Sequence, residues 1–158
     1  MKRPARGFTL VELLVTVTIV SLLATMALPV AELSVRRAKE HELRAALREI
    51  RGALDAYKRA GDEGRVVRIS GQSGYPPSLE VLTEGVEDAR SPDKRRIYFL
   101  RRLPPDPFAD DPSLPAAQTW GLRSYESPPD APSEGADVFD VYSRSADTGL
   151  NGRPYKDW

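Results

Sequence analysis

A single carboxylate interrupts an otherwise apolar segment near the start of the chain. The segment runs from Phe8 to Val30, and its one charged residue is Glu12. An ionised carboxylate deep in a bilayer costs about 2.5–3.5 kcal/mol on insertion scales, and intramembrane acids usually have a functional partner. The sequence therefore predicts that Glu12 has a partner and that this partner is functional.

Residue types that commonly carry out catalysis are scarce. The chain has no cysteine and one histidine, His41, which lies among charged residues and is expected to be a solvated helix residue. No glycine-rich phosphate loop and no paired metal-ligand motif is present in the sequence. We therefore expect a protein that is not an enzyme, without disulfides or thiolate chemistry.

The residues around Glu12 leave three interpretations of the N-terminus. A short positive block within residues 1–6 precedes Gly7, and the following apolar stretch is long enough to span a bilayer as a helix. A cleaved secretory signal needs an uninterrupted apolar centre and a small-x-small cleavage site, and neither is found before Glu32. A plain anchor leaves Glu12 unexplained. The third interpretation is an anchor with a processed N-terminus.

Length and charge suit one domain with an appendage. The chain has 158 residues and no net charge. Residues 1–60 carry 11 Lys/Arg and 6 Asp/Glu, whereas residues 61–158 carry 12 and 17. A basic half beside an apolar segment favours a membrane surface or an acidic protein partner. Nucleic acid is not an expected partner, because no basic run is interleaved with aromatic residues.

One long helix must position Glu12. From Leu33 to Ala60 the sequence is amphipathic, with an apolar stripe at helical spacing that comprises Leu43, Leu47, Ile50, Leu54 and Tyr57. We predict a helix from Phe8 to Ala60, about 80 Å long at 1.5 Å per residue. Pro29 is expected to kink or locally melt it, and the Gly-rich residues 61–64 end it. The stripe spans too few heptads for a coiled coil.

The remainder of the chain predicts a small head. Twelve of the 14 prolines lie between Pro76 and Pro154, which excludes long helices there. The predicted strands are Arg65–Ile69, Ile97–Arg101, Trp120–Tyr125 and Val138–Tyr142. A helical turn over Ser78–Leu82 is expected, with Ser78 as its cap. The predicted fold class is α+β: a long N-terminal helix, membrane-embedded in its first half, packed on a small antiparallel sheet.

The N-terminal motif resembles a known processing signal. The stretch Gly7-Phe8-Thr9-Leu10-Val11-Glu12-Leu13-Leu14 is similar to the class III signal of type IV pilins and pseudopilins. The resemblance implies that a prepilin peptidase cleaves after Gly7 and methylates Phe8. It also implies that Glu12 pairs with the terminal amine of a neighbouring subunit. A carboxylate removed from water is stabilised most by a cation that reaches it only on assembly.

The resemblance divides the chain into four parts. Residues 1–7 form a leader peptide, and residues 8–31 form a transmembrane and assembly helix. Residues 32–60 form an amphipathic spine helix, and residues 61–158 form a periplasmic α+β head with a C-terminal loop.

Three stretches of the head are similar to the major, G-type pseudopilins of type II secretion. These are Gly74–Leu79, Tyr98–Phe108, and Asp140–Ser143 followed by Ala146-Asp147. The chain departs from the family pattern by an insertion over residues 110–118 and by a shorter C-terminal loop. All three stretches occur in the same order as in the family. Together they make the resemblance more specific than a single matching stretch would.

The resemblance implies a structural subunit that polymerises into a periplasmic pseudopilus driving type II secretion. Expected partners are other copies of the chain, the prepilin peptidase, minor pseudopilins, the inner-membrane secretion platform and the membrane. The expected location is the bacterial inner membrane, crossed once, with the head in the periplasm. The alternative is a type IV pilin of an adhesion, motility or DNA-uptake filament. A minor, tip-priming subunit is disfavoured because Glu12 is retained.

The family resemblance also implies calcium as a fastener of the C-terminal loop. The expected ligands are the carboxylate of Asp147, the main-chain carbonyl of Arg144 and, less directly aligned, the carboxylate of Asp157. Calcium takes six to eight oxygen ligands, which carboxylates and carbonyls supply. The alternative is a turn in which Arg153 and Lys156 replace the ion as salt-bridge partners.

Overall fold

The computed structural model describes residues 7–68 and 71–158, with the side chains of residues 26–28 excluded. Residues 1–6 of the expected leader and Ile69 of a predicted strand therefore lie outside the described residues. The chain divides into two compact units, with the boundary between Ala38 and Lys39. Helix α1 (Leu10–Asp62) contributes residues to both units and differs from the predicted helix by two residues at each end.

In the first unit, α1 presents an apolar surface that is exposed nearly all round. The helix is continuous through Pro29, so the single chain shows no local melting there, and a kink at Pro29 stays a prediction. Its hydroxyl groups donate to main-chain carbonyls three or four residues earlier, at distances of 2.7–2.9 Å. The residues concerned are Thr16, Thr18, Ser21, Thr25 and Ser34. Internal hydrogen bonds of this kind satisfy polar side chains where water is absent.

In the second unit, the predicted apolar stripe forms one wall of the core. Leu43, Leu47, Ile50 and Leu54 are buried, and Tyr57 is half-buried against Phe99. The head supplies the other wall through Leu79, Leu82, Leu100, Trp120, Val138, Val141 and Tyr155. The sequence periodicity therefore identified the buried face of this part of α1 correctly.

The Gly-rich segment ends α1 as predicted. Gly64 adopts a φ of 72°, a left-handed conformation that favours glycine. The N–H groups of Arg65 and Val66 both donate to the carbonyl of Ala60, at 2.8 and 3.2 Å. These bonds satisfy a carbonyl in the last turn and turn the chain away from the helix axis.

The head contains short elements in two separate sheets. The helices are α2 (Glu80–Glu84), α3 (Ala116–Thr119) and a final 3₁₀ turn (Tyr155–Asp157). The strands are β1 (Val86–Glu87), β2 (Arg96–Ile97), β3 (Trp120–Arg123) and β4 (Asp140–Ser143). β1 pairs with β2 and β3 with β4, both antiparallel, and Trp120 lies opposite Ser143. The predicted α+β class is confirmed.

Several predicted element bounds in the head are wrong. Residues 65–68 form no strand, because the Arg65 N–H is used in ending α1. The predicted strand Ile97–Arg101 stops at Ile97, because the N–H groups of Phe99 and Leu100 both donate to the carbonyl of Leu82. Ser78 does not cap α2, whose N-cap is Leu79 with no side-chain hydrogen bond.

The two later strands are shorter or shifted relative to prediction. β3 ends at Arg123 because the Ser124 N–H donates to Ser133 in the following loop. β4 begins two residues later than Val138, whose N–H donates to Pro76.

Candidate functional site

Gly7 is a glycine that the fold of the described chain does not require. A Cβ added to Gly7 would meet no heavy atom within 4 Å, and Gly7 is not among the residues with positive φ. Neither steric contact nor backbone conformation therefore explains the residue type. A glycine that folding does not need is consistent with a role in processing, because the family resemblance places the cleaved bond directly after Gly7.

Thr9 caps the first turn of α1. Its hydroxyl oxygen accepts a hydrogen bond from the Glu12 N–H at 3.2 Å, and its carbonyl accepts one from Leu13 N–H, also at 3.2 Å. Sequence reasoning missed this cap, although Thr9 and Glu12 have the Thr-x-x-Glu spacing of a capping box. Phe8, 75% exposed, lies directly before the cap. The predicted processing site therefore adjoins a well-defined helix start.

Glu12 is exposed in the first turn of α1. The positive end of the helix dipole favours an acid there by about 0.3–1 kcal/mol, which is less than the cost of burying the charge in a bilayer. Its carboxylate makes no hydrogen bond or ion pair with any residue in the described ranges 7–68 and 71–158. The hydroxyls of the same segment are satisfied internally, so Glu12 is the polar group there that lacks a partner within the described chain.

The surface around Glu12 is apolar. Phe8, Leu10, Val11, Leu13 and Leu14 are all more than half exposed. By length and composition, α1 contains a segment that could cross a membrane, and the apolar window is not buried within the protein. A cation that pairs with Glu12 would therefore meet it in a low-dielectric surrounding, where the attraction between opposite charges is stronger.

The C-terminal loop (residues 144–158) contains the three residues predicted to bind calcium. The Arg144 side chain pairs with Glu134 at 3.3 Å. Asp147 is exposed, and its carbonyl accepts a hydrogen bond from Tyr155 N–H at 3.1 Å. Asp157 lines a cleft together with Arg51 and with three further cationic residues, Arg44, Arg48 and Arg153.

This donor set does not fit a calcium ion. Within residues 7–68 and 71–158, no group of three or more His, Cys, Asp or Glu side chains is placed to hold a metal. The cleft that Asp157 lines carries an excess of positive charge. Many loop carbonyls already accept hydrogen bonds from the loop itself, namely those of Asp147, Gly149, Arg153, Pro154, Tyr155 and Asp157. Calcium binding stays a prediction of the family resemblance alone, which the described side chains do not support.

Two charged residues of α1 that contact the loop were not identified from the sequence. Glu40 is 4% exposed, and Arg51 contacts Asp140, Val141 and Trp158. A signal was present for Glu40, which precedes Leu43 by three residues and so lies on the same helical face as the apolar stripe. His41, by contrast, is exposed as expected.

An apolar helix that begins at a capped Gly-Phe-Thr-x-x-Glu motif is the N-terminal arrangement of prepilin-like membrane proteins. Residues 2–28 match the family model of the prokaryotic N-terminal methylation motif. The motif and the apolar helix together indicate membrane anchoring and processing by a prepilin peptidase.

Comparison with curated proteins narrows the class to one secretion family. The chain is 30% identical over 113 residues to the type II secretion system core protein G of Klebsiella pneumoniae, covering 69% of this chain and 73% of that protein. The core protein G of Dickeya chrysanthemi is 28% identical over 118 residues, covering 72% and 70%. That of Escherichia coli K12 is 27% identical over 110 residues, covering 67% and 68%. The chain belongs to the type II secretion core protein G family, the major pseudopilins. No solved structure matches it.

Proposed function

We propose that this chain is the structural subunit of a filament, the pseudopilus, that polymerises in the periplasm and drives type II protein secretion. The observation that carries the proposal is the Glu12 carboxylate, which has no partner within the described residues of its own chain. It lies on an apolar helix whose hydroxyl groups are satisfied internally. Such a carboxylate is stabilised when a second subunit supplies a cation.

Processing would create that cation. Cleavage after Gly7 exposes a new amino group on Phe8, which remains positively charged after N-methylation. Glu12 lies four positions after Phe8, so the terminal amine and the carboxylate of each subunit lie near the same end of α1. A neighbour displaced along the helix axis by about one turn would bring its Glu12 to this amine, which sets the register of stacking.

The energetic argument favours pairing between subunits. In a medium of low dielectric constant, an unpaired buried charge costs several kcal/mol, and a well-placed opposite charge offsets much of that cost. This stabilisation by an opposite charge is absent in the single subunit and appears only on assembly. Because the attraction falls with distance, one relative position of two subunits is favoured over others.

The orientation in the membrane follows from the charges that flank the helix. The positive block within residues 1–6 precedes the apolar segment, and positively charged flanks stay on the cytoplasmic side. We infer that the chain crosses the inner membrane once and holds residues 61–158 in the periplasm. Its partners are then further copies, the prepilin peptidase, minor pseudopilins and the inner-membrane platform. Its work is assembly rather than catalytic turnover.

The alternative function, a type IV pilin for adhesion, motility or DNA uptake, shares the same N-terminal chemistry. The relatives matched over about 70% of this chain are type II secretion proteins, which supports the first function. Deletion of the gene separates the two, because only a secretion subunit should leave exported enzymes in the periplasm.

The Glu12→Leu variant tests the proposal. It should insert in the membrane at least as well as the wild type, because the desolvation cost disappears. In-membrane cross-linking should yield far fewer multimers, since losing one partner of a buried pair costs about 2–5 kcal/mol. Glu32→Leu is the matched control, as Glu32 is an exposed acid of α1 that lies beyond the apolar run. Equal multimer yields for Glu12→Leu and the wild type would refute the assembly role.

A further inference from the structure

Glu40 is a buried acid that connects α1 to the C-terminal loop. Its Oε1 atom accepts hydrogen bonds from Leu150 N–H at 2.7 Å and from Tyr155 O–H at 3.1 Å. Its Oε2 atom lies 3.7 Å from Nη2 of Arg44 on the next helical turn. A buried carboxylate is costly unless it is hydrogen-bonded and paired. Here the loop supplies two donors and α1 supplies a cation.

Arg51, about three turns further along α1, provides a second connection. Its Nη2 atom donates to the carbonyl oxygen of Val141 at 3.1 Å and to the main-chain oxygen of Trp158 at 2.9 Å. Its Nε atom donates to Oδ1 of Asp140 at 2.7 Å. One guanidinium thus joins β4 to the last residue of the loop. The planar array of donors on arginine suits contact with several oxygens at once.

Two aromatic residues of the loop contact these connections: Tyr155 bonds to Glu40, and Trp158 bonds to Arg51. Tyr155 is fully buried, and its ring stacks on Phe108 with 4.1 Å between centroids. It also meets the Trp158 ring edge-on at 5.0 Å. The Arg44 guanidinium lies 4.2 Å from the centroid of the Trp158 ring. The loop therefore has its own apolar contact with the core in addition to its charged connections.

We propose that Glu40 and Arg51 fasten the C-terminal loop to α1 and that the loop closes without a metal ion. The negative charge that would attract a cation is placed on α1, where loop donors and Arg44 satisfy it. Six loop carbonyls, from Asp147 to Asp157, accept hydrogen bonds within the loop. The cleft lined by Asp157 is rich in arginine. A divalent cation that drew on Glu40, on Asp157 or on these six carbonyls would have to displace existing contacts.

Hydrogen–deuterium exchange of the full chain in mild detergent tests the proposal. Peptic fragments that cover residues 145–158 report on the loop, and fragments from Leu43 to Leu54 report on the core. For the wild-type chain we expect the same loop exchange in millimolar calcium chloride and in chelator. The amides of Leu150 and Tyr155 should be protected in both conditions.

Glu40→Ala should accelerate loop exchange in both conditions, by about tenfold or more, since loop donors lose a buried charged acceptor. Glu42→Ala is the matched control, because Glu42 is an exposed acid two residues away and should leave the loop unchanged. Glu40→Gln serves as the test if Glu40→Ala also loosens the core. It preserves the side-chain size and one acceptor, so its loop should exchange at a rate between those of the wild type and Glu40→Ala.

Two results would overturn the proposal. In the first, the wild-type loop exchanges faster in chelator and recovers its protection when calcium is restored. The Asp147→Ala variant lacks this response to calcium. The second is a Glu40→Ala loop that exchanges like that of Glu42→Ala. Neither depends on filament assembly, so this proposal can fail while the proposed function stands.

Discussion

Replacing Arg51 by alanine should destabilise the head more than any comparable change on the exposed face of α1. The Arg51 side chain is 37% exposed, so its ion pair with Asp140 is partly screened by solvent. We assign that pair about 1 kcal/mol. The two main-chain oxygens of Val141 and Trp158 lose a charged donor as well, which adds about 1 kcal/mol in this partly exposed setting.

The expected loss is therefore about 2 kcal/mol, which corresponds to a fall in Tm of roughly 4–10 °C for a unit of this size. Thermal unfolding of the full chain in mild detergent, followed by circular dichroism, measures it. Arg48→Ala is the matched control, because Arg48 is exposed and has no ion pair or hydrogen bond with a described residue. Its Tm should stay within about 2 °C of the wild type.

A double-mutant cycle with Asp140→Asn isolates the ion pair from the other contacts. If Arg51 acts as described, the two changes together should cost less than the sum of the separate changes, by about 1 kcal/mol. Arg51→Lys should recover only part of the loss, because an ammonium group cannot reach three oxygens in one plane. An Arg51→Ala chain that unfolds at the same temperature as Arg48→Ala would refute the reasoning.

Two further predictions concern the N-terminus and low pH. Mass spectrometry of the membrane-extracted protein should find N-methyl-Phe8 as the first residue, whereas Gly7→Val should keep its leader and yet insert normally; an intact Met1 terminus on the wild type would contradict this. The N–H of Arg90 and the guanidinium of Arg65 lower the pKa of Asp88 below its ordinary 3.8. A lowered folded-state pKa stabilises the fold above about pH 4, and this stability is lost as the pH falls through the folded value. Asp88→Asn should therefore weaken the pH dependence of Tm in that acidic range; an unchanged dependence would show that Asp88 does not contribute.

Features that depend on residues close together in the sequence could be predicted from the sequence. The apolar run, the stripe from Leu43 to Leu54 and the glycines after Ala60 fixed the type and extent of α1. The reason is that helical periodicity repeats every 3.6 residues and is visible in a short window. The Gly7-to-Glu12 motif could be recognised for the same reason, because its residues are consecutive.

Contacts between distant residues escaped prediction. The bonds from Leu150 and Tyr155 to Glu40 span 110 and 115 positions, and no local pattern encodes them. Strand ends were missed because a single tertiary acceptor, the carbonyl of Leu82, takes the two N–H groups that would otherwise extend β2.

The sequence by itself thus determined an apolar N-terminal helix, its processing motif, a lone acid within the apolar segment and the buried face of the spine. Only the tertiary structure decided where the strands stop and which groups of α1 hold the C-terminal loop. The division has a physical cause. Backbone conformation and periodic burial depend on adjacent residues, whereas satisfying a buried charge depends on whichever distant donors the folded chain brings within hydrogen-bond distance.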